Sequence, residues 1–152
     1  MKFLIAGLGS IGRRHFRNLL ALGERDIVLY RTRRSTLPED QLAEFPVEMN
    51  FEAALAHHPH AVIVANPTAL HLEVAIPAAM AGCHILLEKP VSHSLEGVGY
   101  LLDAVRQGCG TALVGFQFRC PPGLIQAGQW LSVGAIGRPL SARAVFGEYL
   151  PG

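Results

Sequence analysis

The sequence predicts an α/β protein with a doubly wound parallel sheet. Short apolar runs alternate with helical patterns along the chain, the signature of strand–helix–strand units. The run AVIVA is apolar throughout and HILLE nearly so, as expected of strands buried on both faces. The first apolar run leads into a glycine-rich turn that opens a helix.

In chain order, residues 3–6 read as a strand. Residues 11–22 read as a helix with Gly12, Phe16, Leu19, Leu20 and Gly23 on one face. A second strand follows at 27–30. Residues 31–40 are charged, contain Pro38 and read as a loop. A short strand is expected at 47–49 and a short helix at 51–56, N-capped by Asn50. Residues 61–65 form the next strand and 68–81 a helix. Pro77 is a local fault in that helix, and Gly82 stands at its C′ position. After a buried strand at 84–87, Ser94 is expected to cap a helix whose stripe is Leu95, Val98, Leu102 and Val105. A strand at 111–115 and a helix at 122–131, with Pro122 in its first turn, come next. Residues 140–146 alternate like a half-exposed strand. There is no internal repeat.

Composition excludes several classes. A chain of 152 residues is near the ordinary domain size and long enough to bury a core unaided. Thirteen Lys+Arg against twelve Asp+Glu argue against a broadly basic nucleic-acid binder. A hydrophobic half of the residues excludes disorder. No apolar run approaches the roughly 18 residues of a membrane span. The apolar N-terminal stretch is broken by Gly7 and Gly9 and no cleavage region follows, so neither a membrane partner nor a signal peptide is expected. Cys83, Cys109 and Cys120 are odd in number and lack metal-ligand spacing. They read as small, mostly buried thiols of a reducing compartment, the cytoplasm. His57, His58 and His60, interrupted by Pro59, read as a solvated turn, and no metal is expected.

Three features carry chemistry. The first is the GxGxxG of Gly7, Leu8, Gly9, Ser10, Ile11 and Gly12, between a strand and a helix. Gly7 allows the tight turn, Gly9 lets a pyrophosphate approach the backbone, and Gly12 lets the helix pack on the strand. The helix N-terminus offers unpaired N–H groups and a partial positive charge. Arg13 and Arg14 oppose the helix dipole there, a cost that a bound anion would relieve. The pattern is that of a dinucleotide-binding, Rossmann-type turn; the alternative is a glycine-rich turn that packs tightly and holds no ligand.

The second is the end of the second strand. An NAD-preferring fold places Asp or Glu there to bind the ribose 2′-OH. This chain instead has Arg31, Thr32, Arg33 and Arg34. Guanidinium groups match a 2′-phosphate, so NADP(H) is the expected cofactor, with NAD(H) second. The alternative is a solvated charged loop.

The third is the set of strand ends. In an open α/β sheet, ligands sit beyond the carboxyl ends of the strands. Those ends carry Asn66, Pro67 and Thr68, leading to His71; then Glu88 and Lys89; then Gln117 and Arg119. Lys89 is one of only two lysines. Spacing alone allows it to bind a substrate oxygen, to act as acid/base, or to form a surface ion pair with its neighbour.

The segments GLGSIGRRH, NPTALH, LLEKP and VGFQFR, in this order and spacing, resemble the Gfo/Idh/MocA oxidoreductases. That family includes glucose–fructose oxidoreductase and inositol dehydrogenase. The resemblance runs from residue 1 to about 150. It implies a dinucleotide-binding Rossmann domain at 1–120, then a linking helix and first strand of an antiparallel α+β domain at 121–152. It also implies that most of that second domain lies outside this chain. By the same resemblance Asn66, Pro67, Thr68 and His71 line the cofactor groove, and Glu88 and Lys89 lie near the nicotinamide, with Lys89 catalytic. Gln117 and Arg119 lie near the nicotinamide or substrate. The implied reaction is hydride transfer to or from a sugar, cyclitol or related small molecule. The rival from another class is a stand-alone regulatory dinucleotide-binding module, since one fold hosts many functions. A homo-oligomer paired through the C-terminal strand is a further expectation.

Overall fold

The computed structural model describes residues 1–32, 42, 44–145 and 147. The chain divides into two compact units, Met1–Gly115 and Phe116–Gly152.

The first unit holds six parallel strands: β1 (Phe3–Ala6), β2 (Ile27–Tyr30), β3 (Val47–Glu48), β4 (Ala61–Val64), β5 (His84–Leu87) and β6 (Ala112–Val114). Their order across the sheet is β3-β2-β1-β4-β5-β6. Chain order reverses between β1 and β4, so a crevice opens at the carboxyl ends of those two strands. Its helices are α1 (Ser10–Ala21), α2 (Phe51–Leu55), α3 (His71–Met80) and α4 (Val98–Gln107).

Strand alternation divides the core in two. On one face Ile5, Ile27, Leu29 and Ile63 pack with Phe16 and Leu19 of α1. On the other, Leu4, Val28, Val62, Val64, Ile85 and Leu87 pack with Val74, Ala75 and Ala78 of α3 and Leu101 and Ala104 of α4. Burying one such aliphatic side chain is worth about 1.5–3 kcal/mol. The central β4, covered on both sides, is apolar for that reason.

Local signals act as read at several termini. Asn50 Oδ1 accepts from the Ala53 N–H at 3.0 Å, capping α2. Gly82 has φ of 82°, and the Gly82 and Cys83 N–H groups donate to Ala79 and Ala78, closing α3 with a Schellman motif. α3 runs through Pro77. Residues 68–70, expected to be part of that helix, form a separate 3-10 turn, Thr68–Leu70.

Ser94 does not cap α4. The Ser94 N–H turns back to Ser92 Oγ at 3.4 Å, a local bond that competes with helix formation. The helix starts at Val98 after Gly97, whose φ is 81°. The buried stripe therefore shifts to Leu101 and Ala104, and Leu95 (91% exposed) and Leu102 face solvent.

The second unit holds a 3-10 turn, Gln117–Arg119, and α5 (Pro122–Ser132). Residues 140–145, expected to form a strand, carry none. Leu140 is 93% exposed, and an alternating pattern without a neighbouring strand has no ladder to join. Phe146, Tyr149 and Leu150 lie outside the described residues, and no described helix is long and apolar enough to cross a membrane.

The cysteines correct one expectation. Cys83 is buried, its Sγ donating to the Pro59 carbonyl at 3.2 Å, but Cys109 and Cys120 are exposed because they lie in turns outside the core. Burial pushes the Cys83 thiol pKa up, so its thiolate fraction at mildly alkaline pH is smaller than that of an ordinary thiol. With Ellman's reagent at pH 8, two thiols should react promptly and the third only on unfolding. Three equally fast thiols would contradict this.

Two of the three clustered histidines have side-chain partners. His57 Nε2 lies 2.8 Å from Glu48 Oε1, and His60 Nδ1 accepts from the Lys2 N–H at 3.1 Å. Among the described residues, no three His, Cys, Asp or Glu side chains group as metal ligands.

Candidate functional site

The carboxyl ends of the strands are locked to one another. Gly7 N–H donates to Tyr30, Ala65 N–H to Ala6, Glu88 N–H to Val64, and Gly115 N–H to Leu87, at 2.8–3.0 Å. The segments that follow β1, β4, β5 and β6 thus start from one common edge.

Gly7 turns away from β1 with φ of 97°, and a Cβ there would lie 2.5 Å from the Asn66 nitrogen. Only glycine suits both the sign of φ and the approach to the β4 end. A Cβ on Gly12 would strike the Gly7 carbonyl oxygen, so the first turn of α1 lies directly on the loop. Gly9 is different. It is the N-cap of α1, with φ of −68°, and apart from its chain neighbours no heavy atom of the described residues lies within 4 Å of where its Cβ would stand. The first turn of α1 has no acidic residue and no side-chain cap. Gly9 is therefore bare for the approach of a ligand, as a pyrophosphate requires.

The other expected residues separate by exposure. Ser10 and Ile11 are exposed. Leu8 packs its side chain in the core beneath α1, so only its backbone is available to a ligand. Arg31 is 8% exposed, and its N–H donates to the Glu48 carbonyl. It is a buried guanidinium at the end of β2, not part of a solvated loop. Thr32 is exposed, and Arg33 and Arg34 lie outside the described residues. Pro67 is exposed and Thr68 half-buried; Asn66 Nδ2 donates to the Leu70 carbonyl at 3.0 Å, and its Oδ1 is buried with no hydrogen-bond partner among the described residues. Gln117 and Arg119 are exposed in the second unit.

His71 does not line an open groove. It is 1% exposed, with Nδ1 2.9 Å from the Pro90 carbonyl and Nε2 3.0 Å from the Asn66 carbonyl. Glu88 is not paired with its neighbour Lys89. Its Oε1 lies 2.8 Å from His15 Nε2, and its carboxylate lies against Gly115, where a Cβ would stand 3.3 Å from Oε1. Lys89 is exposed and makes no hydrogen bond or ion pair with the described residues.

His15 was not among the residues expected from the sequence. Its position held a signal: it follows Gly12 by three residues and precedes Leu19 by four, on the flank of the buried stripe. From there its ring reaches Glu88 at the end of β5, two strands from β1.

An open parallel sheet in this order, with a glycine turn at its switch point, defines a dinucleotide-binding Rossmann domain. The chain belongs to the GFO_IDH_MocA oxidoreductase family, whose NAD-binding Rossmann fold matches residues 1–116. It is 40% identical over 87 residues to levoglucosan dehydrogenase of Pseudarthrobacter phenanthrenivorans, covering 57% of this chain and 22% of that protein. It is 30% identical over 147 residues to myo-inositol 2-dehydrogenase of Thermotoga maritima, covering 91% of this chain and 43% of that protein. The crystal structure of a probable dehydrogenase from Thermotoga maritima superposes with a TM-score of 0.82 at 25% identity, over 91% of this chain and 43% of the other. The chain thus spans less than half the length of these relatives.

Proposed function

We propose that this chain is the cofactor-binding part of a nicotinamide-dependent oxidoreductase acting on a sugar, cyclitol or related small molecule. Relatives named for levoglucosan and inositol support that substrate class. The observation that carries the proposal is Lys89, exposed and without an ion-pair partner among the described residues, beside the crevice of a dinucleotide fold. A purely regulatory module has no use for a proton-handling group there.

Gly7, Gly9 and Gly12 shape the pyrophosphate site, and the backbone N–H groups of Ser10 and Ile11 face the anion. Arg31, with Thr32, Arg33 and Arg34, favours a 2′-phosphate, so NADP(H) is preferred over NAD(H). Asn66 Oδ1, buried and without a partner among the described residues, is an acceptor for a donor group of the cofactor. Pro67 and Thr68 border the same groove. The nicotinamide, when bound, supplies or accepts hydride. The Lys89 ammonium hydrogen-bonds the substrate oxygen on the reacting carbon and exchanges a proton with it. Glu88, held by His15, fixes the backbone from which Lys89 extends.

In the whole protein, Lys89→Ala should lower kcat by about 10²–10⁴-fold, the usual share of general acid–base catalysis, and leave the Kd for NADPH nearly unchanged. Steady-state assays across a panel of sugars and cyclitols, with calorimetric NADPH titration, test it. An undiminished kcat would remove Lys89 from the chemistry.

A further inference from the structure

Lys89 has no side-chain partner among the described residues, so its own contacts do not place it. Its neighbours on both sides are held. Glu88 continues the alternation of β5 beyond Leu86, which packs on the α1 side of the sheet, and its carboxylate reaches His15 of α1. Pro90 follows, and its carbonyl lies 2.9 Å from Nδ1 of His71, the first residue of α3, on the opposite face of the sheet. The same ring reaches the Asn66 carbonyl through Nε2 at 3.0 Å.

We propose that His15 and His71 are positioning residues, one from each face of the sheet, that together clamp the peptide carrying Lys89. The two anchors differ in character. His15 and Glu88 are side-chain groups about one-fifth exposed, joined across two elements. His71 is fully buried and ties two backbone segments, the β4 end and the β5 end, to one ring. Both of its partners are carbonyl oxygens, which only accept. A ring nitrogen that carries a proton donates to the carbonyl it faces. Lys89 is left with a fixed backbone and, among the described residues, an ammonium without a partner. That arrangement suits a group that must meet a ligand in one place without being neutralised by a protein carboxylate. The clamp matters for chemistry only through the role proposed above for Lys89.

The chain has two lysines, so labelling with ¹⁵N-lysine yields two amide signals, assigned with Lys2→Arg. Lys2 lies at the far end of β1, its N–H bonded to His60, and serves as an internal control. The Lys89 amide should have an order parameter of about 0.85 in the unaltered chain. In His15→Ala and in His71→Asn it should fall toward about 0.6, with Lys2 unchanged. His15→Gln, whose amide can still donate to Glu88, should restore it. An equally ordered Lys89 amide in His15→Ala, with Lys2 unmoved, overturns the clamp. If His71→Asn does not fold, the two His15 variants decide alone. The measurement needs neither substrate nor turnover, so the clamp can fail while the proton-handling role of Lys89 stands, and the reverse.

Discussion

Titrated by calorimetry, NADPH should bind at least tenfold more tightly than NADH. The reason lies at the end of β2, where the carboxylate that would accept from a ribose 2′-OH is absent and Arg31, Thr32, Arg33 and Arg34 stand instead. Charge-assisted hydrogen bonds to a 2′-phosphate contribute about 1.5–3 kcal/mol, and each 1.4 kcal/mol is about tenfold in affinity. Salt should narrow the preference, because a phosphate at the protein surface is screened over a Debye length of about 10 Å at 0.1 M. Equal affinities, or a preference for NADH, would defeat the assignment and leave the arginines a structural role.

The glycines of the first turn should separate binding from stability. Gly9 has ordinary backbone angles and open space around its missing side chain. Gly9→Val should therefore fold, giving up about 1 kcal/mol as a poorer N-cap, and lose at least about a hundredfold in NADPH affinity, since its branched side chain stands where a pyrophosphate must approach. Gly12→Ala should do the opposite first. Its methyl group meets the Gly7 carbonyl, a backbone atom that cannot rotate away. Overpacking of this kind costs about 1–3 kcal/mol, or roughly 3–6 °C in Tm for each kcal/mol in a domain of this size. Thermal melts and titrations on the two variants decide the matter. Full NADPH affinity in Gly9→Val would place the pyrophosphate elsewhere.

Much of the fold was legible because its signals are local. Residues 61–65 had to be a buried central strand, being apolar at every position. Asn50 and Gly82 marked helix ends through bonds made within a few residues. Where structure and sequence pattern differ, a local signal pointed two ways. Ser94 has the chemistry of a cap, yet it sits in a turn closed by Ser92, and the helix waits for Gly97. Residues 140–145 alternate as a strand does, but alternation describes two faces and does not supply a neighbour to pair with.

The sequence by itself determined the parallel α/β architecture, the glycine turn and the residue types at the strand ends, because hydrophobic period and glycine sterics act over a few residues. Only the tertiary structure decided which of those side chains meet. His15 and Glu88 are 73 positions apart, and they touch because β5 lies two strands from β1 and turns Glu88 toward the α1 face. His71 looked like groove lining in one dimension. Packing buried it between two strand ends, where its ring faces carbonyl oxygens and not solvent. Lys89 was visible from the start as a rare lysine after a strand. That its carboxylate neighbour is taken by a histidine, leaving the ammonium unpaired among the described residues, followed from strand order and pleat, which no local pattern encodes.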